Sequence, residues 1–332
     1  MPHTPDMPMN ERHHINVFTH NDLDGVACAV LAELYAKQKN ASITVVYCTH
    51  STVNQELKKL ESVIWNAQNM DTPLPAVREV FVLDLALDGH GADTMEWFLH
   101  NGCIVRHVDH HPMKTTYKHP WMTITSSPSI CTCDMFKSHL LNFHYATFDP
   151  GVNDFVSRVS IWDAHRFPPN EREKYEDLNL VLKLLGPKDA QVFFTGALIE
   201  EPNQPIKIKD TYLGPAVEAL GKREKEYCAL HARNTLTFYH KGCHIEAVFA
   251  DQFISEIADF VLDHHPDADI CAVIQMPVCV SLRTRRTGID LYKMFAKPRG
   301  GHGNARAAAF PIKHHITAQL FSPIMEMDYL PF

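Results

Sequence analysis

The stretch INVFTHNDLDG (residues 15–25) passes from a largely apolar run into one histidine and two aspartates. Residues 15–20 predict a short buried strand. Residues 23–38 predict a helix, because their apolar side chains recur at the spacing that covers one helix face. The stretch therefore predicts an α/β domain in which a polar cluster follows the first strand.

The same alternation of strand and helix continues downstream. Residues 42–50, 79–87 and 103–112 predict three more strands, with helices over 53–69 and 94–100 between them. Near-continuously apolar strands that alternate with helices are typical of a parallel sheet covered on both faces. We therefore expect a doubly wound, mainly parallel sheet in the N-terminal part of the chain.

Acidic and imidazole side chains follow three of the predicted strands. They are His20, Asp22 and Asp24 after the first, Asp84 and Asp88 after the third, and Asp109, His110 and His111 after the fourth. The carboxyl ends of parallel strands meet at one edge of a sheet, where ligands bind in such folds. Carboxylates packed together raise one another's pKa, and a divalent cation relieves that repulsion. The three clusters therefore predict one or two bound metal ions.

A smaller α/β unit is predicted in the last third of the chain. Its predicted elements are a helix over 216–236, a strand over 243–251, a helix over 255–264, a hairpin over 268–284 and a helix over 289–296. The glycine-rich segment 300–310 predicts a turn that leads into another helix. We expect one domain over 1–200, a linker and connecting helix over 201–236, and a second domain over 237–332.

Composition narrows the class of protein. A hydrophobic fraction of 45% and a charged fraction of 21% are typical of a globular chain, and 332 residues suggest about two domains. A net charge of −8 disfavours binding along the backbone of long nucleic acids. The apolar runs are shorter than the ~20 residues that span a bilayer. Nine scattered cysteines predict reduced thiols, so we expect a cytoplasmic protein that does not bind membranes.

Four motifs resemble those of the DHH phosphoesterase superfamily. They are HNDLDG (20–25), VLDLALD (82–88), VDHHP (108–112) and the later Asp163. The segment GGHGNARAAAF (300–310) resembles the glycine-histidine motif of the C-terminal domain associated with that family. The resemblance spans nearly the whole chain, and THNDLDGVACAVL (19–31) is most similar to the oligoribonuclease branch. It implies a DHH catalytic domain, a substrate-binding domain and an active site in the cleft between them.

The resemblance also implies a set of metal ligands. One ion would be held by His20, Asp22 and Asp84, and a second by Asp24, Asp84, His110 and Asp163. Residues two apart in an extended segment point the same way, so His20, Asp22 and Asp24 are expected to face one site. Carboxylate and imidazole ligands favour Mn²⁺, with Mg²⁺ as the alternative. In many family members the first histidine lies four residues before the first aspartate, whereas here it lies two before.

Further roles follow from the same resemblance. His111 and His110 are expected in catalysis, with His111 facing the substrate phosphate and Asp109 orienting a histidine. Asp88 is expected to cap a helix rather than bind metal. The expected substrate-binding residues are Arg283, Gly300, Gly301, His302 and Gly303. Glycines allow close backbone approach to a phosphate, and a following helix would add its positive dipole.

The resemblance implies a two-metal phosphodiesterase that hydrolyses short oligonucleotides or dinucleotides to mononucleotides. The alternatives are hydrolysis of cyclic dinucleotides or their linear products, and hydrolysis of 3′-phosphoadenosine 5′-phosphate. A metal-bound nucleotide sensor without turnover is the non-enzyme alternative, and a homodimer is compatible with the sequence.

A second DHHP, at residues 263–266, provides an internal control. No predicted strand precedes it and no other aspartate cluster lies near it. We therefore expect it to form the end of a surface helix without a catalytic role.

Overall fold

The structure, a computed structural model, describes residues 13–70, 77–111, 118–125, 130–144, 146–164, 166, 172–276 and 278–312. The chain divides into two compact units, Met1–Glu218 and Ala219–Phe332. The division falls inside 201–236, where the sequence predicts a linker and a connecting helix. Each unit contains a β-sheet with helices, so the predicted α/β class is confirmed. The cleft between the two domains stays a prediction.

The first unit is built on a five-stranded sheet whose pairings are all parallel. Its strands are β1 (His13–His20), β2 (Ser42–Cys48), β3 (Val77–Leu83), β4 (Ile104–Asp109) and β5 (Met122–Ile124). They lie in the order β2-β1-β3-β4-β5, so the winding direction reverses between β1 and β3. In sheets of this kind, ligands bind at the carboxyl ends of the strands beside that reversal. The topology therefore brings the ends of β1, β3 and β4 to one edge.

Helices cover both faces of this sheet, as predicted. They are α1 (Leu23–Gln38), α2 (Val53–Asn69), α3 (Gly89–His100), α4 (Thr132–Phe143), α5 (Pro150–Asp163), α6 (Glu173–Leu185) and α7 (Pro187–Glu200). A core that includes Phe18, Leu57, Val82 and Phe98 joins one sheet face to α2 and α3. α1 lies outside this core and packs against α4, α5 and α7.

The strand β3 ends at Leu83, although the sequence predicts a strand to residue 87. Asp84 still bonds to β4 through its amide, but the backbone beyond Asp84 bonds to histidine side chains instead of a neighbouring strand. The Ala86 amide donates to Nδ1 of His50 (3.1 Å), and the Leu85 carbonyl lies 2.8 Å from Nε2 of His107. The chain therefore leaves the sheet directly after Asp84.

The second unit contains a six-stranded mixed sheet in the order β10-β11-β9-β8-β7-β6. Its strands are β6 (Leu236–His240), β7 (Cys243–Phe249), β8 (Ile270–Gln275), β9 (Cys279–Arg283), β10 (His302–Gly303) and β11 (Ala307–Pro311), and its helices are α8 (Gly214–His231), which begins before the division, and α9 (Ile254–His264). β7 and β8 are parallel, and the other pairs are antiparallel. The predicted hairpin over 268–284 is confirmed as β8 and β9.

The predicted helix within 300–310 is wrong, because this segment forms β10 and β11. β11 pairs with β9, with Ala308 opposite Leu282, and this tertiary pairing overrides the helix propensity of the alanine run. A Cβ at Gly301 would lie 2.1 Å from the Ala309 carbonyl oxygen, so the glycine permits close approach of the two segments. No helix dipole therefore acts at this turn in the described residues.

Two other helix predictions need correction. The helix predicted over 289–296 is a single π-helical turn, Tyr292–Ala296, followed by a 3-10 turn, Lys297–Arg299. α8 ends at His231 rather than at residue 236, because the residues from Leu236 onward pair with β7. Within the part of the chain that the structure describes, no helix is both long and apolar enough to cross a membrane.

Candidate metal centre and active site

The centre lies at the carboxyl ends of three neighbouring strands. His20 is the last residue of β1, and Asp109 is the last residue of β4. Asp84 follows β3 directly, and His110 follows β4. The strand-end clusters predicted from the sequence therefore meet at one edge of the sheet.

The turn from β1 to α1 differs from the predicted extended segment. Asp22 is the N-cap of α1, and its Oδ1 accepts a hydrogen bond from the Gly25 amide (3.0 Å). Asp24 lies in the first turn of the helix and is 1% exposed. A Cβ at residue 25 would lie 2.2 Å from the His20 carbonyl oxygen, so Gly25 lets the helix start against the strand end. The expectation that His20, Asp22 and Asp24 lie along one extended segment is therefore wrong.

A first group of ligand atoms comes from His20, Asp22 and Asp84. One such atom from each residue lies within 4.8 Å of the others. Nδ1 of His20 is 2.7 Å from Oδ2 of Asp22 and 3.8 Å from Oδ2 of Asp84. These are the three residues that the resemblance implies for one ion.

A second group comes from Asp24, His110 and Asp163, again with ligand atoms within 4.8 Å of one another. Asp163 is the last residue of α5. Nδ1 of His110 lies 2.8 Å from the Ile130 carbonyl oxygen, to which its N–H can donate. Nε2 lies 3.5 Å from Oδ1 of Asp84. In metal-binding histidines, one ring N–H commonly donates to a backbone carbonyl. This bond fixes the orientation of the ring, so that the other nitrogen can bind the metal.

Asp84 lies between the two groups. Its Oδ1 faces His110, and its Oδ2 faces His20. The residue is fully buried and has a φ of 57°, which is uncommon for a residue with a side chain. Its amide donates to the Val108 carbonyl oxygen (3.0 Å), which ties this backbone to β4. Among the described residues, Oδ2 has no hydrogen-bond partner although it is buried.

Three carboxylates of the centre are electrostatically unfavourable on their own, whereas the hydrogen bond and charge of His20 outweigh burial and lower the pKa of Asp22. Burial, together with the charge of Asp22, raises the pKa of Asp24. Burial and the neighbouring carboxylates also raise the pKa values of Asp84 and Asp163 well above their usual range. A divalent cation removes this repulsion and takes oxygen and imidazole ligands. The donor set and the unpaired buried oxygen of Asp84 therefore fit metal binding.

Asp109 and His111 form a pair beside these groups. Nδ1 of His111 also lies 3.6 Å from Oδ1 of Asp84. His111, His110 and Asp84 can therefore offer ligand atoms to one ion. Oδ1 of Asp109 accepts a hydrogen bond from the His111 amide (3.1 Å) and lies 2.8 Å from its ring Nδ1. Burial alone would lower the pKa of His111, but the hydrogen bond and charge of Asp109 outweigh it and raise that pKa. The His111 side chain is 27% exposed, so solvent reaches it.

Sequence reasoning missed two contributors. The ring of His50 stacks on His20 (centroids 5.1 Å apart) and packs edge-on against His111 (4.8 Å). His50 follows β2, so the strand-end argument could have identified it. Thr132, at the start of α4, hydrogen-bonds to Asp24 and Asp84, and its local sequence gives no signal of this.

Two further predictions place residues outside the centre, and both placements are confirmed, while the expected lack of a catalytic role for the second DHH stays a prediction. Asp88 caps α3, where it accepts hydrogen bonds from the Gly91 amide (3.1 Å) and from Nδ2 of Asn54 (2.7 Å). The second DHH ends α9, with Asp263 and His264 exposed. Asp263 forms an ion pair with Arg285.

The second unit brings together part of the predicted substrate-binding set. Arg283, His302 and Gly303 line one cavity of about 220 Å³. Nε of Arg283 lies 3.8 Å from Oδ1 of Asp259. Gly300 and Gly301 precede β10 and do not line this cavity.

Comparison with known proteins gives a related sequence and several similar folds, although no protein-family model matches the chain. The chain is 23% identical over 329 residues to oligoribonuclease NrnB from Bacillus subtilis (strain 168), which covers 94% of this chain and 76% of the relative. Its fold is similar to exonuclease RecJ bound to manganese (TM-score 0.56, 11% identity, 96% of this chain and 91% of that one). It is also similar to the DHH domain of a member of a ribosomal-protein family (TM-score 0.58, 11% identity, 94% and 86%).

Proposed function

Since this chain belongs to the DHH phosphoesterase superfamily and is a hydrolase of the phosphodiesterase class, we propose that it cleaves short oligonucleotides or dinucleotides to mononucleotides. Two divalent metal ions, Mn²⁺ by preference, serve as cofactors. The observation that carries the proposal is the placement of the two Asp84 oxygens, one facing each group of ligand atoms.

The residues that would hold the ions are those of the two groups. His20, Asp22 and Asp84 would hold one ion, and Asp24, Asp84, His110 and Asp163 the other. Two such ions, when bound, activate water for attack on phosphorus and neutralise phosphate charge. The buried carboxylates provide the negative charge that retains them.

His111 contacts the substrate in this proposal. Asp109 accepts from Nδ1, which leaves Nε2 to donate to a phosphate oxygen or to the leaving oxygen. The raised pKa of His111 favours the protonated ring that such a donor needs. Asp109 therefore acts through the orientation and charge of His111.

The net charge of the chain and a cavity in the second unit both support a short substrate. Proteins that follow long nucleic acids neutralise many phosphates, whereas this chain carries a net charge of −8. The cavity lined by Arg283 and His302 suits one terminal phosphate or nucleotide, because an arginine guanidinium can donate two parallel hydrogen bonds to phosphate oxygens. The curated relative is itself an oligoribonuclease, which supports the same substrate class.

The test is a substrate panel with Mn²⁺. Purified protein is given a dinucleotide, a longer RNA, a cyclic dinucleotide, 3′-phosphoadenosine 5′-phosphate and pyrophosphate, each with and without chelator. The proposal expects the highest kcat/KM on the dinucleotide and no turnover with chelator. A higher kcat/KM on the cyclic dinucleotide or on 3′-phosphoadenosine 5′-phosphate would contradict the proposed substrate and identify that compound as the preferred one. Metal and nucleotide binding without turnover of any substrate would favour the sensor alternative.

The cytoplasm is the proposed location. The described part of the chain holds all nine cysteines as thiols outside any disulfide, and eight of them are buried. Reduced thiols are typical of reducing compartments. Labelling of the protein in fractionated cells tests this assignment, and recovery in a secreted fraction would contradict it.

A further inference from the structure

The first residue of α4 contacts carboxylates of both ligand groups. Thr132 is fully buried. Its hydroxyl Oγ1 donates to Oδ1 of Asp84 (3.1 Å), and its amide donates to Oδ2 of Asp24 (2.7 Å). Thr132 therefore links Asp84, which lies between the two groups, to Asp24 of the second group.

The start of α4 holds Asp24 on both oxygens. The next amide, that of Cys133, donates to Oδ1 of Asp24 (2.8 Å). The first amides of a helix have no partner within the helix, and the helix dipole favours a negative charge there. Both backbone donors would persist after a change of the Thr132 side chain, so they restrain Asp24 independently of the hydroxyl.

The hydroxyl of Thr132 acts on Asp84 alone. It binds Oδ1, and the described residues provide no hydrogen-bond donor to Oδ2. The carboxylate plane of Asp84 therefore depends on this bond to keep Oδ1 toward His110 and Oδ2 toward His20. A β-branched side chain has few χ1 rotamers, which makes threonine a stiff support.

We propose that Thr132 is a positioning residue that orients the Asp84 carboxylate between the two ion sites and thereby sets the affinity for divalent metal. The inference rests on the proposed function, because it takes Asp84 to bridge two ions. Thr132 contacts neither substrate nor reacting atoms in this account. Its hydrogen bond to a carboxylate is charge-assisted, and groups that orient metal ligands in this way affect metal affinity strongly.

The experiment compares Thr132→Val, which removes the hydroxyl at nearly constant shape, with Thr132→Ser, which keeps it. Mn²⁺ is titrated into metal-free protein by calorimetry and by the loss of the free Mn²⁺ signal in electron paramagnetic resonance. Thr132→Val should weaken Mn²⁺ binding roughly ten- to a hundredfold. Thr132→Ser should bind Mn²⁺ nearly as the wild type does. Thermal unfolding in chelator should show a cooperative transition for all proteins.

Thr94→Val is the matched control. Thr94 is a buried threonine of α3 whose hydroxyl donates to the His90 carbonyl oxygen (3.0 Å). This control should keep wild-type Mn²⁺ affinity. Wild-type affinity in Thr132→Val, or an equal loss in Thr132→Ser, would overturn the role of the hydroxyl while leaving the proposed function in place. A wild-type protein that binds Mn²⁺ tightly but cleaves no phosphodiester would instead refute the proposed function, and the titration would still decide the role of Thr132.

Discussion

Asp109 holds His111 through a single oxygen, Oδ1, which accepts from the His111 amide at 3.1 Å and lies 2.8 Å from the ring Nδ1. Asp109 is the last residue of β4 and is only 1% exposed. The end of a buried strand therefore determines the orientation of a partly exposed imidazole. The same contact lowers the pKa of Asp109 against the opposing effect of burial, so the pair favours a charged carboxylate and a protonated ring.

Asp109→Asn should lower kcat by roughly ten- to a hundredfold, because an amide keeps the shape but loses the charge that orients and protonates His111. Mn²⁺ affinity should stay near that of the wild type, since Asp109 belongs to neither ligand group. Steady-state kinetics on a dinucleotide and calorimetric Mn²⁺ titration measure the two effects. A large loss of Mn²⁺ binding would show that Asp109 is itself a ligand.

Arg283→Ala and His302→Ala should separate substrate binding from cleavage. A charge-assisted hydrogen bond contributes ~1.5–3 kcal/mol, so each change should raise the KM for a dinucleotide roughly ten- to a hundredfold. Hydrolysis of a minimal chromogenic phosphodiester should change far less, and metal content should not change. Lys293→Ala is the control, because its exposed side chain does not line the cavity. Equal losses on both substrates, or loss of metal in Arg283→Ala, would contradict the division of roles.

The two DHH sequences permit a matched comparison. His110→Ala removes a member of the second ligand group and should abolish turnover and weaken Mn²⁺ binding. His264→Ala changes the corresponding histidine of the exposed sequence at the end of α9 and should leave both unchanged. Kinetics and Mn²⁺ titration on both variants make the comparison. Loss of activity in folded His264→Ala would refute the view that this sequence has no catalytic role.

His139 should make the first unit less stable in mild acid. Burial, and the nearby positive charges of His144 and Arg106, lower its pKa to about 4. In the unfolded chain its pKa is about 6.5, so between these values the unfolded state binds a proton that the folded state does not. The contribution of the neutral His139 ring to the free energy of unfolding is therefore fully present above pH ~6.5, and it is lost as the pH falls toward 4. With allowance for solvent screening, the loss between pH 7 and pH 5 is about 1 kcal/mol.

Urea unfolding of the wild type and His139→Gln at pH 5 and pH 7 measures this effect. Glutamine keeps an acceptor for Nε of Arg106, which donates to the His139 ring (3.2 Å), but it does not titrate. The variant should lose less stability than the wild type on acidification. Identical pH dependence in the two proteins would refute the assignment to His139.

The residues at the strand ends could be predicted from the sequence because the topology leaves little choice. Parallel strands end at one edge, so residues placed just after β1, β3 and β4 had to meet, and the same reasoning would have included His50 after β2. Thr132 could not be identified from the sequence, because 108 residues separate it from Asp24 and only the packing of α4 brings them together. The alanine run 307–309 shows the opposite limit, since its helix propensity gave way to pairing with β9.

The most direct test of the account is the effect of Asp84→Ala on metal binding and turnover together. Asp84 faces both ligand groups, so its loss should abolish dinucleotide hydrolysis at saturating Mn²⁺ and remove at least one bound ion from the purified protein. Metal content by mass spectrometry and initial rates on the same preparation give both quantities. A folded Asp84→Ala protein that retains near-normal turnover and its full metal content would contradict a two-metal centre bridged by Asp84.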